Sequence, residues 1–472
     1  MTAVTQRAST VIGEATVGEL AAAVRGRVIR PGDGDYDEAR AVWNASHDRR
    51  PALIVKCAGP ADVMKAVEFG SSQHLRIAVR GGSHSIAGFS TVDDGLVIDL
   101  SDMTAVSVDP TRRRVSVQGG ATWADVDHET QAHGLAVTGG LVSTTGVGGF
   151  TLGGGIGWLL RKYGLACDNL VSADVVTADA QLVHASANEN ADLFWALRGG
   201  GGNFGIATSL EFQLHPVGPT VLAGLLFFSG SDARRIITGW RELTAKAPDE
   251  LTSLVNLTTA PPVPFLPESV HGKPIVAIGA MHCGAPAEAE EVVSPLRTLA
   301  EPIFDHLGPV PYAAMQQALD PLWEKGAQNY FTSALLDTLS DEAVDQLLAR
   351  WSAKRSPNSE VHIHHAGGAM ARIASDATAY SHRSSPYLVN VVARSVSPEG
   401  FDTEIAWARS ARSALSVYGP DAMYVNFTGD AEPDKVRASY PPETYRRLVE
   451  VKRHYDPSNL FRLNQNISPD AT

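Results

Sequence analysis

The sequence predicts an α+β protein built in two parts, and three observations support this. Between Pro51 and His215 short strands and short helices interleave with few long strand–helix–strand units, which argues against a doubly wound parallel sheet. After Pro219 longer helices alternate with longer strands, the pattern of an antiparallel sheet covered on one face by helices. The length of 472 residues gives a prior of two or three domains and room for an ample core.

Taken in order, PALIVKC (51–57) is an apolar run suited to a buried strand. PADVMKAVEFGSSQ follows as a helix, with Pro60 at its first position and Val63, Ala66 and Val67 on one stripe. Strand patterns come next at 75–80, 95–100, 105–109 and 113–118, then a helix from Trp123 to His133. NLVSADVVTADAQLVHAS reads as a hairpin turning at Thr177 to Ala180. ADLFWALR is a helix and IATSLEFQLHPV a returning strand. In the second part LAGLLFFS, TSLVNLTTA, PIVAIGAMHC, NYFTSALL, EVHIHHAGGA and YLVNVVARS are strands, with helices at 231–246, 286–299, 340–353 and 398–417. APPVPFLPE (260–268) is a proline-rich loop. The last 50 residues carry a strand, DAMYVNFTGD, a helix near 440–455 and an irregular tail.

Composition narrows the function. The formal charge of −13 repels phosphate polymers and anionic lipid, which argues against nucleic-acid and membrane partners. Three cysteines, Cys57, Cys167 and Cys283, have no CxxC or metal spacing and read as free thiols of a reducing compartment. The first twenty residues lack the apolar core of a secretory signal, so a cytoplasmic protein is expected and the sequons at Asn44, Asn256, Asn426 and Asn466 are chance matches. Glycine is the outlier: of 43 glycines, 22 fall between Gly81 and Gly205. Glycine crowded without a collagen period marks backbone that turns where a Cβ would clash or approaches a ligand closely.

Two glycine segments carry the chemistry. Arg80-Gly81-Gly82-Ser83-His84-Ser85 follows a strand, and its exposed N–H groups can cradle a pyrophosphate while Arg80 adds positive charge. Its bland alternative is a glycine turn with an incidental surface histidine. Between Gly139 and Gly157, nine glycines in nineteen positions cannot hold a stable regular helix, so the segment is a loop shaped around a ligand or backbone packed on backbone. Gly200-x-Gly202-x-x-Gly205 matches the dinucleotide fingerprint as a string, but a helix precedes it and a strand follows, the reverse of what that motif needs. In HIHH (362–365), His362 and His364 share a strand face; no acid or cysteine completes a set, so no metal site is expected and either imidazole is core, surface or substrate-facing.

RGGSHSIAG, GLVIDLS, VSTTGVGGFTLGGGIGWLLRKYGLACDNL, DLFWALRGGGGNFGI and YDPSNLFRLNQNI together resemble FAD-linked oxidases of the vanillyl-alcohol oxidase/p-cresol methylhydroxylase superfamily, in its berberine-bridge-enzyme-like branch. The resemblance covers nearly the whole chain, with five motifs in order. It implies a two-domain PCMH-type FAD-binding fold: 1–216 and 421–472 holding FAD, and 217–420 an antiparallel-sheet substrate domain covered by helices. It implies a cofactor-holding set of Arg80, Gly81, Gly82, Ser83, His84, Ser85 and Gly88, then Gly140, Val142, Thr144, Thr145, Gly148, Gly149, Gly155 and Gly157, then Ile206, Tyr424, Asn464 and Asn466. His84 would bond through its ring to the flavin 8α-methyl. Relatives with a second, cysteinyl link carry that cysteine where this chain has Val142, so a single attachment is expected. Thr145 falls where relatives control oxygen access to the flavin. Tyr424 aligns with a tyrosine used as catalytic base, and His364 joins the expected catalytic set.

The activity these residues imply is oxidation of an alcohol, hydroxylated ring or amine of a small molecule, with O₂ as acceptor, in secondary metabolism or catabolism. An oxygenase working through a flavin–oxygen adduct is the alternative, and a flavoprotein kept for binding or structure the third reading. A monomer or homodimer is expected, and the substrate side is expected to draw on Tyr330, Phe331, His362, His364 and Tyr387.

Overall fold

The computed structural model describes residues 12–471, and the reading of the first eleven residues lies outside them. Four sheets organise the described residues. The first runs Arg27–Ile29, Leu53–Lys56, Leu96–Asp99, Ile77–Arg80, its inner pairs parallel and its outer pair antiparallel. Helix Pro60–Ser72 is its crossover and buries Val63, Ala66 and Val67 as the 3.6-residue stripe requires. The second sheet is antiparallel throughout, in the order Val106–Asp109, Arg114–Gln118, Ile206–Gln213, Leu170–Val176, Leu182–Ser186. Its hairpin turns at Thr177 to Ala180, where the Ala180 N–H donates to the Thr177 carbonyl. A short ribbon pairs Leu135–Ala136 with His215–Pro216.

The third element of the architecture is an eight-stranded antiparallel sheet formed by 220–395. Its strands alternate. Val255, Leu257, Val361, Ile363, Val389 and Val391 point to one face and pack under helices Ala233–Thr244, Pro286–Arg297, Asp341–Ser352 and Phe401–Leu415. Asn256, Glu360, His362, His364 and Asn390 point to the other face, which is turned toward the glycine-rich loops. The period of two thus divides the sheet between core and site. No helix among the described residues is long and apolar enough to cross a membrane.

Two sequence expectations need correction. DAMYVNFTGD is not a strand: Val425–Phe427 is one 3₁₀ turn, and Tyr424 gives its N–H to Ser333 Oγ instead of a ladder. Its apolar residues are buried because the segment is pressed between the large sheet and the glycine loops, not because they alternate across a sheet. The glycine crowd does contain a helix, Val147–Leu152, with Gly148 and Gly149 inside it. Burial of Val147 and Leu152 against the Trp123 cluster overrides the weak propensity over its six residues.

The C-terminal tail is tied in by a buried cation. Lys452 on helix Pro442–Tyr455 has no exposed surface; its Nζ donates to the Asn203 carbonyl, the Phe461 carbonyl and Asp456 Oδ2. Removing one partner of such a pair leaves an uncompensated charge, so Lys452→Met should destabilise the protein by ~3–5 kcal/mol. A melting temperature unchanged from wild type would refute this.

A second buried group predicts a pH dependence. Asp127 lies between helix Trp123–Gln131 and helix Tyr312–Gln317; Oδ2 accepts from the Gln316 amide at 3.1 Å, and Oδ1 finds no partner among the described residues. Burial pushes its carboxyl up to about 7, with the Gln316 amide pulling the other way. An acid raised on folding stabilises below its unfolded value of ~3.9, and that stability is lost as the pH rises through about 7. The melting-temperature gap between Asp127→Asn and wild type should therefore widen from pH 4 to 7 and hold steady above 8; parallel curves would reject the assignment.

Candidate functional site

A cavity of about 990 Å³ lies between the glycine loops and the free face of the large sheet. That volume is at the upper end for small-molecule and cofactor sites, ~300–1,000 Å³. One wall is the floor, built from Gly81 to Ser85 after strand Ile77–Arg80, from Gly146 to Gly149, and from Gly200 to Gly202. The first two loops touch backbone to backbone: a Cβ on Gly82 would stand 2.4 Å from the Gly146 nitrogen. The opposite wall is the sheet, bearing Asn256, Glu360, His362, His364 and Asn390, with Trp323, Phe331 and Phe427 as aromatic sides.

On the floor, the half-buried His84 ring stacks on Trp43 with centroids 4.8 Å apart, and its Nε2 lies 3.1 Å from the Thr144 hydroxyl. Burial pushes its pKa down to about 4, so the imidazole is neutral and nucleophilic near pH 7. On the roof, His362 Nε2 meets Glu360 Oε1 at 3.0 Å, and Glu360 Oε2 accepts from the Asn256 amide at 2.8 Å. Burial works to raise the Glu360 carboxyl, but His362 and Asn256 outweigh it and hold it below its ordinary value. His364 is pushed down to about 3 by burial and by the neighbouring His362; its Nε2 has no partner among the described residues. A carboxylate that orients an imidazole beside a second, unpartnered imidazole can accept or relay a substrate proton.

The structure brings most of the expected residues to the cavity: Gly81, Gly82, Ser83, His84, Ser85, Gly140, Val142, Thr145, Gly148, Gly149, Ile206, His364 and Asn464 line it. The others stand behind its walls. Arg80 does not point its charge into the loop: its guanidinium turns back to Asp99 and donates to the Ser90 carbonyl, so it braces the strand end from below. Thr144 reaches the site through His84. Gly88 accepts at its carbonyl from Arg49, and a Cβ on Gly157 would meet the Gly139 carbonyl at 1.8 Å, so both serve close packing. Gly155 gives its N–H to Tyr424 Oη at 2.8 Å. Asn466 follows the tail and lies outside the lining.

Tyr424 is buried just behind the lining, its Oη accepting from Gly155 N–H and from Asn426 Nδ2 at 2.9 Å. Asn426 itself faces the cavity. Burial, aided by Tyr380, holds the phenol well above its ordinary range, while the two donors on Oη work against that.

Two expected substrate-side residues are misplaced. Tyr330 and Tyr387 point to the helix-packed face, where Tyr330 Oη bonds Asp430 at 2.9 Å and Tyr387 packs by Trp240. Each sits one residue out of phase with the cavity face, and a period of two sends it to the other side. Beside HIHH, Glu360 shares the face of His362 and bonds it, a partner that the sequence reading did not name. The alternation Glu-Val-His-Ile-His was the readable signal. Trp43 and Trp323 had none, since each sits in irregular chain.

The residues present fit the FAD that the motifs imply. The would-be Cβ positions of Gly149 and Gly202 on the floor meet nothing within 4 Å, which leaves backbone open to a close ligand. Ser90 Oγ and Asn464 Oδ1 are buried lining atoms without a partner among the described residues. Unpaired buried polar atoms in a cavity are what a polar ligand satisfies.

Comparison with known proteins agrees. The FAD binding domain family matches residues 51–186, and the berberine and berberine-like family matches 423–468. (R)-6-hydroxynicotine oxidase of Paenarthrobacter nicotinovorans is 30% identical over 459 residues, covering 95% of this chain and 98% of its own. The crystal structure of 6-hydroxy-D-nicotine oxidase from Arthrobacter nicotinovorans superposes with a TM-score of 0.86 at 30% identity, over 95% of this chain and 98% of that one. Glucooligosaccharide oxidase from Acremonium strictum, with a 6-S-cysteinyl, 8α-N1-histidyl FAD, shares the fold at a TM-score of 0.85 and 23% identity, over 97% of this chain and 100% of that one. The chain belongs to the FAD-linked oxidoreductases with a berberine-like C-terminal segment, and is an enzyme of that family.

Proposed function

We propose that the protein is an oxidase that takes a hydride from the C–H beside a hydroxyl, ring hydroxyl or amine of a small, partly apolar molecule and passes the electrons to O₂, giving H₂O₂. The observation that carries this reading is the pairing of walls in one cavity: His84 and the glycine loops on one side, the Glu360–His362 pair and His364 on the other. FAD, held on the floor, supplies the hydride acceptor. The chain supplies position and proton transfer. His84 holds the cofactor covalently, and with Val142 in the wall and none of the three cysteines lining the cavity the attachment is single. Trp323, Phe331 and Phe427 grip the apolar body of the substrate, while His362, His364 and Asn390 receive its polar groups. Tyr424 takes the substrate proton as a phenolate, the form that the Gly155 N–H and the Asn426 amide stabilise against the burial that opposes it. Thr145 leaves room beside the floor for oxygen.

The same reading divides the chain into 1–216 with 421–472 for the cofactor and 217–420 for the substrate, and places a monomer or homodimer in the cytoplasm. A peroxide-coupled screen of aromatic alcohols, hydroxylated N-heterocycles and amines tests the activity. A substrate should bleach the flavin band without air and release one peroxide per product with air. Label from ¹⁸O₂ in the product would overturn the oxidase reading in favour of an oxygenase.

A further inference from the structure

The segment Ala41 to His47 forms neither helix nor strand, yet it is tied at both ends of the site. Toward the floor, Trp43 N–H donates to the Ser83 carbonyl, Asn44 Nδ2 donates to the Ile86 carbonyl at 2.9 Å, and His47 Nε2 meets the same carbonyl at 2.8 Å. Toward the large sheet, Trp43 Nε1 donates to the Trp323 carbonyl at 2.8 Å, and Asn44 exchanges two bonds with Asn329. Asn44 has no exposed surface, so these bonds fix it completely. The indole of Trp43 then covers one face of His84, 4.8 Å between centroids and 18° from parallel, while the Thr144 hydroxyl engages Nε2. One ring nitrogen and one ring face are taken; Nδ1 is left.

Resting on the reading of His84 as the attachment residue, we propose that Trp43 is a positioning residue for flavin attachment, holding the imidazole so that Nδ1 is the bonding atom. Asn44 ties that placement to the strand Gln328–Leu336 of the substrate side. The reaction forms a bond from Nδ1 to the flavin 8α-carbon and breaks one 8α C–H bond. That proton and the imidazole N–H proton stay with the electron pair on the reduced flavin, and O₂ removes both protons and both electrons as H₂O₂. The Cβ–ring torsion of a histidine is broad, so without the indole the ring swings and the near-attack geometry is lost.

The test uses full-length apoprotein made in a riboflavin-starved host and mixed with FAD in air, with samples denatured in acid over time and scored for chain-bound flavin fluorescence. Trp43→Ala should bind FAD within threefold of wild type but attach it ~10²-fold more slowly, and Trp43→Phe should recover most of the rate. Trp43→Ala attaching at the wild-type rate would overturn the proposal. So would a Trp43→Ala protein that no longer binds FAD and is not rescued by Trp43→Phe, since the role is then structural. A wild-type protein that never retains flavin would instead overturn the attachment reading itself.

Discussion

His84→Ala is expected to take chain-bound flavin from one per chain to none. In wild type the imidazole sits at the floor of the cavity, neutral because burial pushes its pKa down to about 4, with Thr144 on one nitrogen. Alanine removes the bonding atom while leaving the glycine loops, whose contacts are backbone on backbone, in place. The variant should therefore fold, bind FAD reversibly and lose its colour on a denaturing gel, where wild type stays fluorescent. A pH profile adds a signed check. Since a protonated imidazole cannot attack, attachment should be flat above about pH 5 and fall as the pH drops through about 4. Fluorescence that stays with the His84→Ala chain would place the link elsewhere.

Tyr424→Phe is expected to lower kcat by ~10²–10⁴-fold, the usual worth of a positioned proton acceptor. Its ring is held by Tyr380 and Phe427 at their edges, so the phenyl ring keeps the packing and only the oxygen is lost. Two donors then lose their acceptor: Gly155 N–H and Asn426 Nδ2. The melting temperature should move little compared with kcat, and flavin attachment should persist because His84 is untouched. A kcat within threefold of wild type on any substrate found by the peroxide screen would transfer the proton-accepting role to the Glu360–His362 pair.

How far the sequence carried the fold depended on which contacts decided each element. Helices such as Pro60–Ser72 and Asp341–Ser352 have local stripes that need no partner to be recognised. The run 421–430 has the same apolar density, but its hydrogen bonds go to Ser333 and Phe331 from distant parts of the chain. No local pattern records that. Val147–Leu152 is helical for the same non-local reason, against its glycines.

The site divides along the same line. The floor was legible because close backbone approach demands glycine, a residue visible in any window of sequence. Phe331 and His364 were found on the cavity face, yet Tyr330 and Tyr387 were not excluded, since nothing in a strand alone says which face meets the helices. Arg80 was read as a phosphate contact from its place at a strand end, but Asp99 on the adjacent parallel strand claims it. Trp43 was invisible because its meaning lies in three partners, Ser83, His84 and Trp323, each from another segment.

The central claim is that one cavity holds FAD on its glycine floor under a roof of proton-handling side chains. A crystal structure of the purified holoprotein tests it most directly. The account predicts flavin density joined to the His84 ring, the dinucleotide running along Gly81 to Ser85 and Gly200 to Gly202, and the ring system between that floor and His362, His364 and Asn426. A cavity without flavin density, or a flavin ring lying away from the Glu360–His362 roof, would contradict it.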